Sequence, residues 1–165
     1  MLLRPLDGAA MANPPKKKAR TGSARSAARL AAVQALYQRE MSGSPVAKLL
    51  HEFHNHRLGA TIEGAEYRDA DSDFFDDVVT GVGARQDEID ALVTAALAEG
   101  WALDRLDRPM RALLRAGVYE LIARADVPAA AVVDEYVDVA HAFYDEKLAG
   151  FANALLDTVA RQVRG

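Results

Sequence analysis

Ser23 to Met41 reads SARSAARLAAVQALYQREM, and its interpretation decides the fold. The stretch begins basic and becomes Ala-rich without a break. Arg25 and Arg29 are four residues apart, so on a helix they are neighbours on one face. Leu30-Ala31-Ala32-Val33-Gln34-Ala35-Leu36-Tyr37 follows, apolar nearly all round, with Gln34 and Tyr37 as the polar and amphipathic exceptions. A helix that is apolar all round needs enclosure by other elements. One helix therefore serves both as core element and as basic docking surface.

The chain of 165 residues is long enough for one domain or two very small ones. Half of it is hydrophobic, while aromatic residues make up only 7%. With abundant Ala, that balance favours closely packed helices over a sheet. The chain has no Cys, which excludes disulfides and thiolate metal sites and fits a reducing cytosol. No apolar run approaches the roughly 18 residues of a membrane span. The N-terminal MLLRPLDGAAMANPPKKKAR lacks the apolar core of a signal peptide, and most of its charges follow its few apolar residues. The expectation is a soluble cytoplasmic protein.

The net charge of −4 hides an asymmetry. Residues 1–29 hold seven Lys/Arg and one acid, a net +6, and the remainder holds 13 basic and 23 acidic residues, a net −10. A basic arm on an acidic body suits a polyanionic partner at one place and a different partner elsewhere. A solubilising tail on an ordinary acidic domain explains the same numbers, and charge alone favours neither.

Residues 1–22 contain Pro/Gly breaks and Lys16-Lys17-Lys18, and are expected to form a disordered basic arm; Met11 is a second candidate start. The domain proper spans 23–165. Its first helix, about Ser23 to Ser42, ends at Gly43-Ser44-Pro45. A second helix is expected over about Val46 to Arg57, with Val46, Leu49, Leu50 and Phe53 at helical spacing, and a loop over 58–71. Asp71-Ser72 offers an N-cap to a long third helix, about Asp73 to Glu99, in which Gly81 and Gly83 permit close approach or a bend. Trp101 to Leu106 reads as a short turn plugging a core. Three further helices are expected, about Arg108 to Arg124, Pro128 to Asp145 (Phe143 inward) and Lys147 to Arg164. No alternating strand pattern occurs. The fold class is all-α, six to seven helices in two small packed bundles, 23–99 and 100–165.

Few motifs carry chemistry. His51, His54 and His56 lack the companion Cys or His-Glu-x-x-His pattern of a metal site and read as helix-face or loop histidines. Asp69-Ala70-Asp71-Ser72-Asp73 opens like a calcium loop, but Phe74 and Thr80 stand where Gly and Glu are needed, so helix capping explains the acids. Gly81-Val82-Gly83 follows no strand and is not a dinucleotide fingerprint. There is no enzyme signal and no cofactor motif. Arg105, Arg108, Arg111 and Arg115 read as a solvated, ion-paired face, with Glu135 the expected partner of Arg115. Arg20, Arg25, Arg29 and the lysine run can neutralise phosphates. Tyr37 and Phe151 can stack bases and Gln34 can read a base edge, although on the residues alone core packing is the preferred reading of both aromatics.

Several blocks together carry a specific resemblance. Ala32-Val33-Gln34-Ala35-Leu36-Tyr37 behind spaced arginines, Gly100-Trp101, and Leu113 to Leu121 (LLRAGVYEL) come first. Asp126-Val127-Pro128, Val132-Val133-Asp134-Glu135 and Phe151 to Asp157 (FANALLD) follow. In this order and spacing, over about residues 23–163, they resemble the NusB family of transcription antitermination factors.

The resemblance implies a two-bundle helical fold and binding of the boxA element of ribosomal RNA leaders. It also implies a heterodimer with the ribosomal protein NusE, joined to NusA, NusG and RNA polymerase. By position it implies that Arg25, Arg29, Gln34 and Tyr37 form the RNA-facing part of the first helix. Phe151 and Asn153, with Lys147 in the loop before them, form a second wall. The chain departs from the family pattern at Ser26 and Ala27 within the arginine run, at Ala154 for Gly, and at Asp134 for Asn. Two rival functions remain open: the NusB-like domain of an RNA cytosine methyltransferase, and a homo-oligomeric adaptor without RNA binding. A homodimer through the arginine-rich surface is likewise left open.

Overall fold

The computed structural model describes residues 17–55 and 71–165, with side chains from Ala24 onward. Among these residues it is all-helical, as the periodicity predicts: α1 (Lys17–Ser42), α2 (Val46–Phe53), α3 (Ser72–Ala84), α4 (Gln86–Ala96), α5 (Arg108–Ala123), α6 (Ala129–Phe143) and α7 (Glu146–Arg164). A single 3-10 turn, Leu103–Arg105, lies between α4 and α5.

The Ala-rich run of α1 is enclosed as expected. Ala28, Ala31, Ala32, Val33, Ala35 and Leu36 are buried, and their small side chains let α3 and α5 approach closely. α1 begins at Lys17, six residues before the expected start, so its first turns belong to the basic arm; residues 1–16 lie outside the described residues. It ends at Gly43, whose φ of 72° only glycine adopts without strain. The expected extension of α2 past Asn55 and the loop that follows also lie outside the described residues.

The long helix expected over Asp73 to Glu99 is two helices, breaking at Arg85 and ending at Ala96. Before the break, Gly81 lets α5 approach closely, since a Cβ there would meet the Tyr119 ring at 2.2 Å. Tyr119 in turn donates its hydroxyl to Asp77 at 2.8 Å. The glycines that permit this approach also weaken the helix around them. The start of α3 is as read: Asp71 accepts the Phe74 N–H at 2.9 Å.

α5 is the centre of the molecule, buried on nearly every side and packed by α1, α3, α4, α6 and α7. Gly117 allows α7 close, since a Cβ there would lie 3.0 Å from Leu156. Trp101 does not plug the core; it is 56% exposed, and Leu106 is the buried residue of that turn. Phe143, expected inward, is 39% exposed because α6 ends there and the chain turns away at Tyr144.

Arg164 closes the C-terminal end of α5. Its guanidinium donates to the carbonyls of Glu120 (3.2 Å), Leu121 (2.9 Å), Arg124 (2.9 Å) and Val127 (2.7 Å). The Glu120 and Arg124 carbonyls also accept backbone N–H groups, from Arg124 at 2.9 Å and Val127 at 3.1 Å, and the last turn of α5 carries the negative end of the helix dipole, which favours a cation there. Arg164→Ala is expected to cost about 1–3 kcal/mol in denaturant unfolding. Arg164→Lys should recover only part of that, because an ammonium cannot serve four carbonyls in a fixed fork. An Arg164→Ala variant as stable as the parent would contradict this role.

Candidate nucleic-acid interface

Four of the seven residues expected at the site lie on α1, and the structure divides them. Arg29 points into the protein and its side chain is 5% exposed. Its Nε donates to Glu120 Oε2 at 2.8 Å and its Nη2 to Glu120 Oε1 at 3.1 Å. Its Nη1 lies 3.2 Å from Glu135 Oε1. Tyr136 donates its hydroxyl to Glu120 Oε2 at 2.5 Å, and Ser26 donates to Glu135 Oε1 at 2.8 Å. Burial works against the Arg29 charge, but the Glu120 hydrogen bond and charge outweigh it and hold its pKa above the ordinary value. Burial, then the Glu120 charge, pushes the Tyr136 hydroxyl well above its ordinary value. The structure therefore places Arg29, expected at phosphates, in an ion pair facing α5 and α6. All three guanidinium nitrogens lie against carboxylates, that of Glu120 fully buried and that of Glu135 partly exposed.

Arg25, one turn earlier, is half-buried and loosely held, 3.6 Å from Asp71 and 3.5 Å from Asp126. Partly exposed ion pairs at that distance hold a side chain weakly. It leans on the Phe74 ring, its Cζ 4.6 Å from the centroid, and Arg29 (4.9 Å) and Arg124 (4.8 Å) share the same ring. Arg124 is tied to Asp126 and Asp77, and its hydrogen bond to Asp126 lowers that carboxyl's pKa to about 2.

Gln34 is partly exposed on α1, and Tyr37 is partly buried with its ring against the core. Tyr37 lies near Tyr144, the residue that follows α6. Tyr144 donates its hydroxyl to Asp107 at 2.5 Å, and burial together with that carboxylate raises its pKa. Lys147, which helical spacing sets at the start of the last helix and the resemblance sets in the loop before it, lies in the first turn of α7 and is exposed. The loop is shorter because Asp145 caps the helix, accepting the Leu148 N–H at 3.1 Å.

Phe151 is partly buried against the core, one turn further on. Asn153 is two residues on, hence on nearly the opposite side of α7. It faces a shallow groove with Ala130, Asp134, Asp157 and Arg161. The structure thus sets Tyr37 near Tyr144, and separates Asn153 from Phe151.

The arginines further along are structural as well. Arg115 pairs with Glu40 (2.7 Å) and Asp90 (2.8 Å), not with Glu135, because its face of α5 looks toward α4 and the C-terminal half of α1. Arg111 also holds Glu40, at 2.6 Å. The ion-paired reading of this cluster holds for both. His54 bonds Asp76 at 2.6 Å and His51 bonds Asn55, while His56 lies outside the described residues. No group of metal-ligating side chains occurs among the described residues.

Toward an anion, α1 offers a run of basic positions. Lys17, Lys18 and Arg20 are on its first turns, with no acid there to complement the helix dipole, and Arg25 follows. The positive end of the dipole and the cations reinforce each other toward an anion. Tyr37 lies twelve residues, about 18 Å, further along the axis from Arg25. The site residues that sequence reading misses are Glu120 and Tyr136, and Glu135, expected to pair with Arg115, pairs with Arg29 instead. The available signal was Glu120 itself, a lone acid in the apolar run VYELI, which requires a buried cationic partner.

Comparison with known proteins agrees with the architecture. The NusB family model matches residues 26–161. Transcription antitermination protein NusB of Sphingopyxis alaskensis is 69% identical over 140 residues, covering 85% of this chain and 94% of that protein. Its counterpart in Novosphingobium aromaticivorans is 64% identical over 144 residues, covering 87% of this chain and 97% of that protein. Among solved structures, NusB of T. maritima superposes with a TM-score of 0.70 at 27% identity, covering 84% of this chain and 91% of that one. A chain from the crystal structure of antitermination factors NusB and NusE in complex with dsRNA gives 0.68 at 25% identity, covering 83% and 96%.

Proposed function

The chain belongs to the NusB family, and on that premise we propose that it binds the boxA element of ribosomal RNA leader transcripts together with the ribosomal protein NusE. In this reading the pair joins NusA, NusG and RNA polymerase in the cytoplasm and supports ribosomal RNA transcription. The role is that of an antitermination factor and involves no catalysis. Among the described residues, no helix is long and apolar enough to cross a membrane.

The observation that carries the proposal is α1 itself. Its basic first turns extend from a body with a net excess of acid, so polyanion attraction is concentrated at one end of one helix. Arg25 and Lys147 supply further cations for phosphates, and Tyr37 and Phe151 offer aromatic edges for unpaired bases. Gln34 contributes a polar group between them. The similarity to a NusB–NusE–RNA complex supports RNA and NusE as partners. The methyltransferase reading is disfavoured because the curated relatives, matched nearly end to end, are antitermination proteins.

The test is a titration of labelled boxA RNA with the full chain, with and without NusE, at several salt concentrations. With about four phosphates neutralised, affinity should fall roughly fiftyfold between about 50 and about 200 mM salt. NusE should tighten binding. Affinity independent of salt, or no RNA binding even with NusE, would overturn the proposal.

A further inference from the structure

The segment Ala24–Arg29 of α1 is held from several directions. The Asp71 N–H donates to the Ala24 carbonyl at 3.0 Å, Ser26 bonds Glu135 on α6, and Arg29 bonds Glu120 on α5. Tyr136 on α6 donates to the same Glu120 carboxylate, so α5 and α6 grip α1 through one buried group. Glu120 and Tyr136 are both fully buried and cannot touch RNA. A buried ion pair contributes little net stability compared with apolar groups of the same shape, but one geometry alone satisfies it. Rotation of α1 by one residue, about 100°, would leave Glu120 and Arg29 unpaired in the core. The clamp grips α1 at the base from which its basic first turns extend, so a small rotation there displaces every cation beyond it.

The geometry points to Glu120 and Tyr136 as positioning residues for RNA binding: a buried carboxylate–tyrosine clamp on Arg29 that fixes the rotation and register of α1, and so aims its basic end. This rests on the RNA-binding reading above.

The experiment is the RNA titration of full-length Glu120→Gln and Tyr136→Phe with the boxA oligonucleotide, well below the melting temperature of each variant, with circular dichroism on the same samples. The folded variants should bind RNA roughly three- to tenfold more weakly. The salt slope should shrink by about 0.7 for each phosphate that is no longer neutralised. Other roles for the network give other results. If Arg29 touches RNA directly, Glu120→Gln releases it and affinity rises. If the network only stabilises the fold, melting temperature falls while the affinity and salt slope of the folded protein stay at the parent's values. Either result overturns the inference. If Glu120→Gln does not fold, Tyr136→Phe, which keeps the Arg29–Glu120 pair, decides the matter by the same criteria. A parent that binds no RNA overturns the functional reading as well, so the two failures are distinguishable.

Discussion

Arg29→Ala should destabilise the protein by about 3–5 kcal/mol, the usual cost of leaving one member of a buried ion pair without its partner. At this chain length that corresponds to a fall in melting temperature of roughly 6–20 °C. The size follows from what is left behind. Glu120 is fully buried and would retain only the Tyr136 hydroxyl, while Glu135 would lose the guanidinium now 3.2 Å away. The variant would also open a space where the guanidinium lay over Phe74. Arg29→Lys should recover less than half of the loss, because an ammonium cannot make the paired bonds to both Glu120 oxygens. Thermal unfolding followed by circular dichroism reads both variants. An Arg29→Ala protein that melts with the parent would show that the pair is not formed.

The second large effect is expected at Phe74. Phe74→Ala should cost about 3–5 kcal/mol, combining lost burial with a residual cavity. Phe74 is 2% exposed, and its ring is shared by the guanidiniums of Arg25, Arg29 and Arg124. Phe74→Leu separates the two contributions. It keeps most of the apolar volume and removes the aromatic face, so its smaller cost measures the cation–π interactions, at about 0.5–1 kcal/mol for each exposed one and more where desolvated. Urea unfolding with both variants gives the comparison. Phe74→Ala within about 1 kcal/mol of the parent would contradict the packing.

These two expectations mark where sequence reading succeeds and where it stops. The helices were legible because apolar periodicity, the Asp71 cap and the glycine and proline breaks act locally. The division of the long helix was legible only as a bend permitted by Gly81 and Gly83; that Tyr119 of α5 packs on Gly81 is a contact across space. Trp101 and Phe143 were misplaced for a related reason: a large apolar residue next to a turn faces inward or outward according to the direction the chain takes afterwards.

At the site, four-residue spacing put Arg25 and Arg29 on one face, which is correct for a helix. It could not show that the edge of that face nearer Arg29 is covered by α5 and α6. Sequence pairs Arg115 with Glu135, but ion pairing across helices is a tertiary fact, and each has a different partner in the fold. By contrast, the opposite directions of Phe151 and Asn153 follow from their two-residue spacing in a helix that the sequence already predicts; what needs the fold is which of them meets the core.

The central claim is that α1 divides its arginines, Arg29 holding the fold and Arg25 facing the nucleic acid. The direct measurement is a paired one, melting temperature and boxA RNA affinity for Arg25→Ala and Arg29→Ala under identical conditions. Arg25→Ala should melt within about 2–4 °C of the parent, since partly exposed pairs contribute at most about 1 kcal/mol, and should bind RNA several-fold more weakly. Arg29→Ala should show the large loss of melting temperature described above. An Arg29→Ala protein that melts like the parent yet loses RNA affinity as Arg25→Ala does would contradict the division.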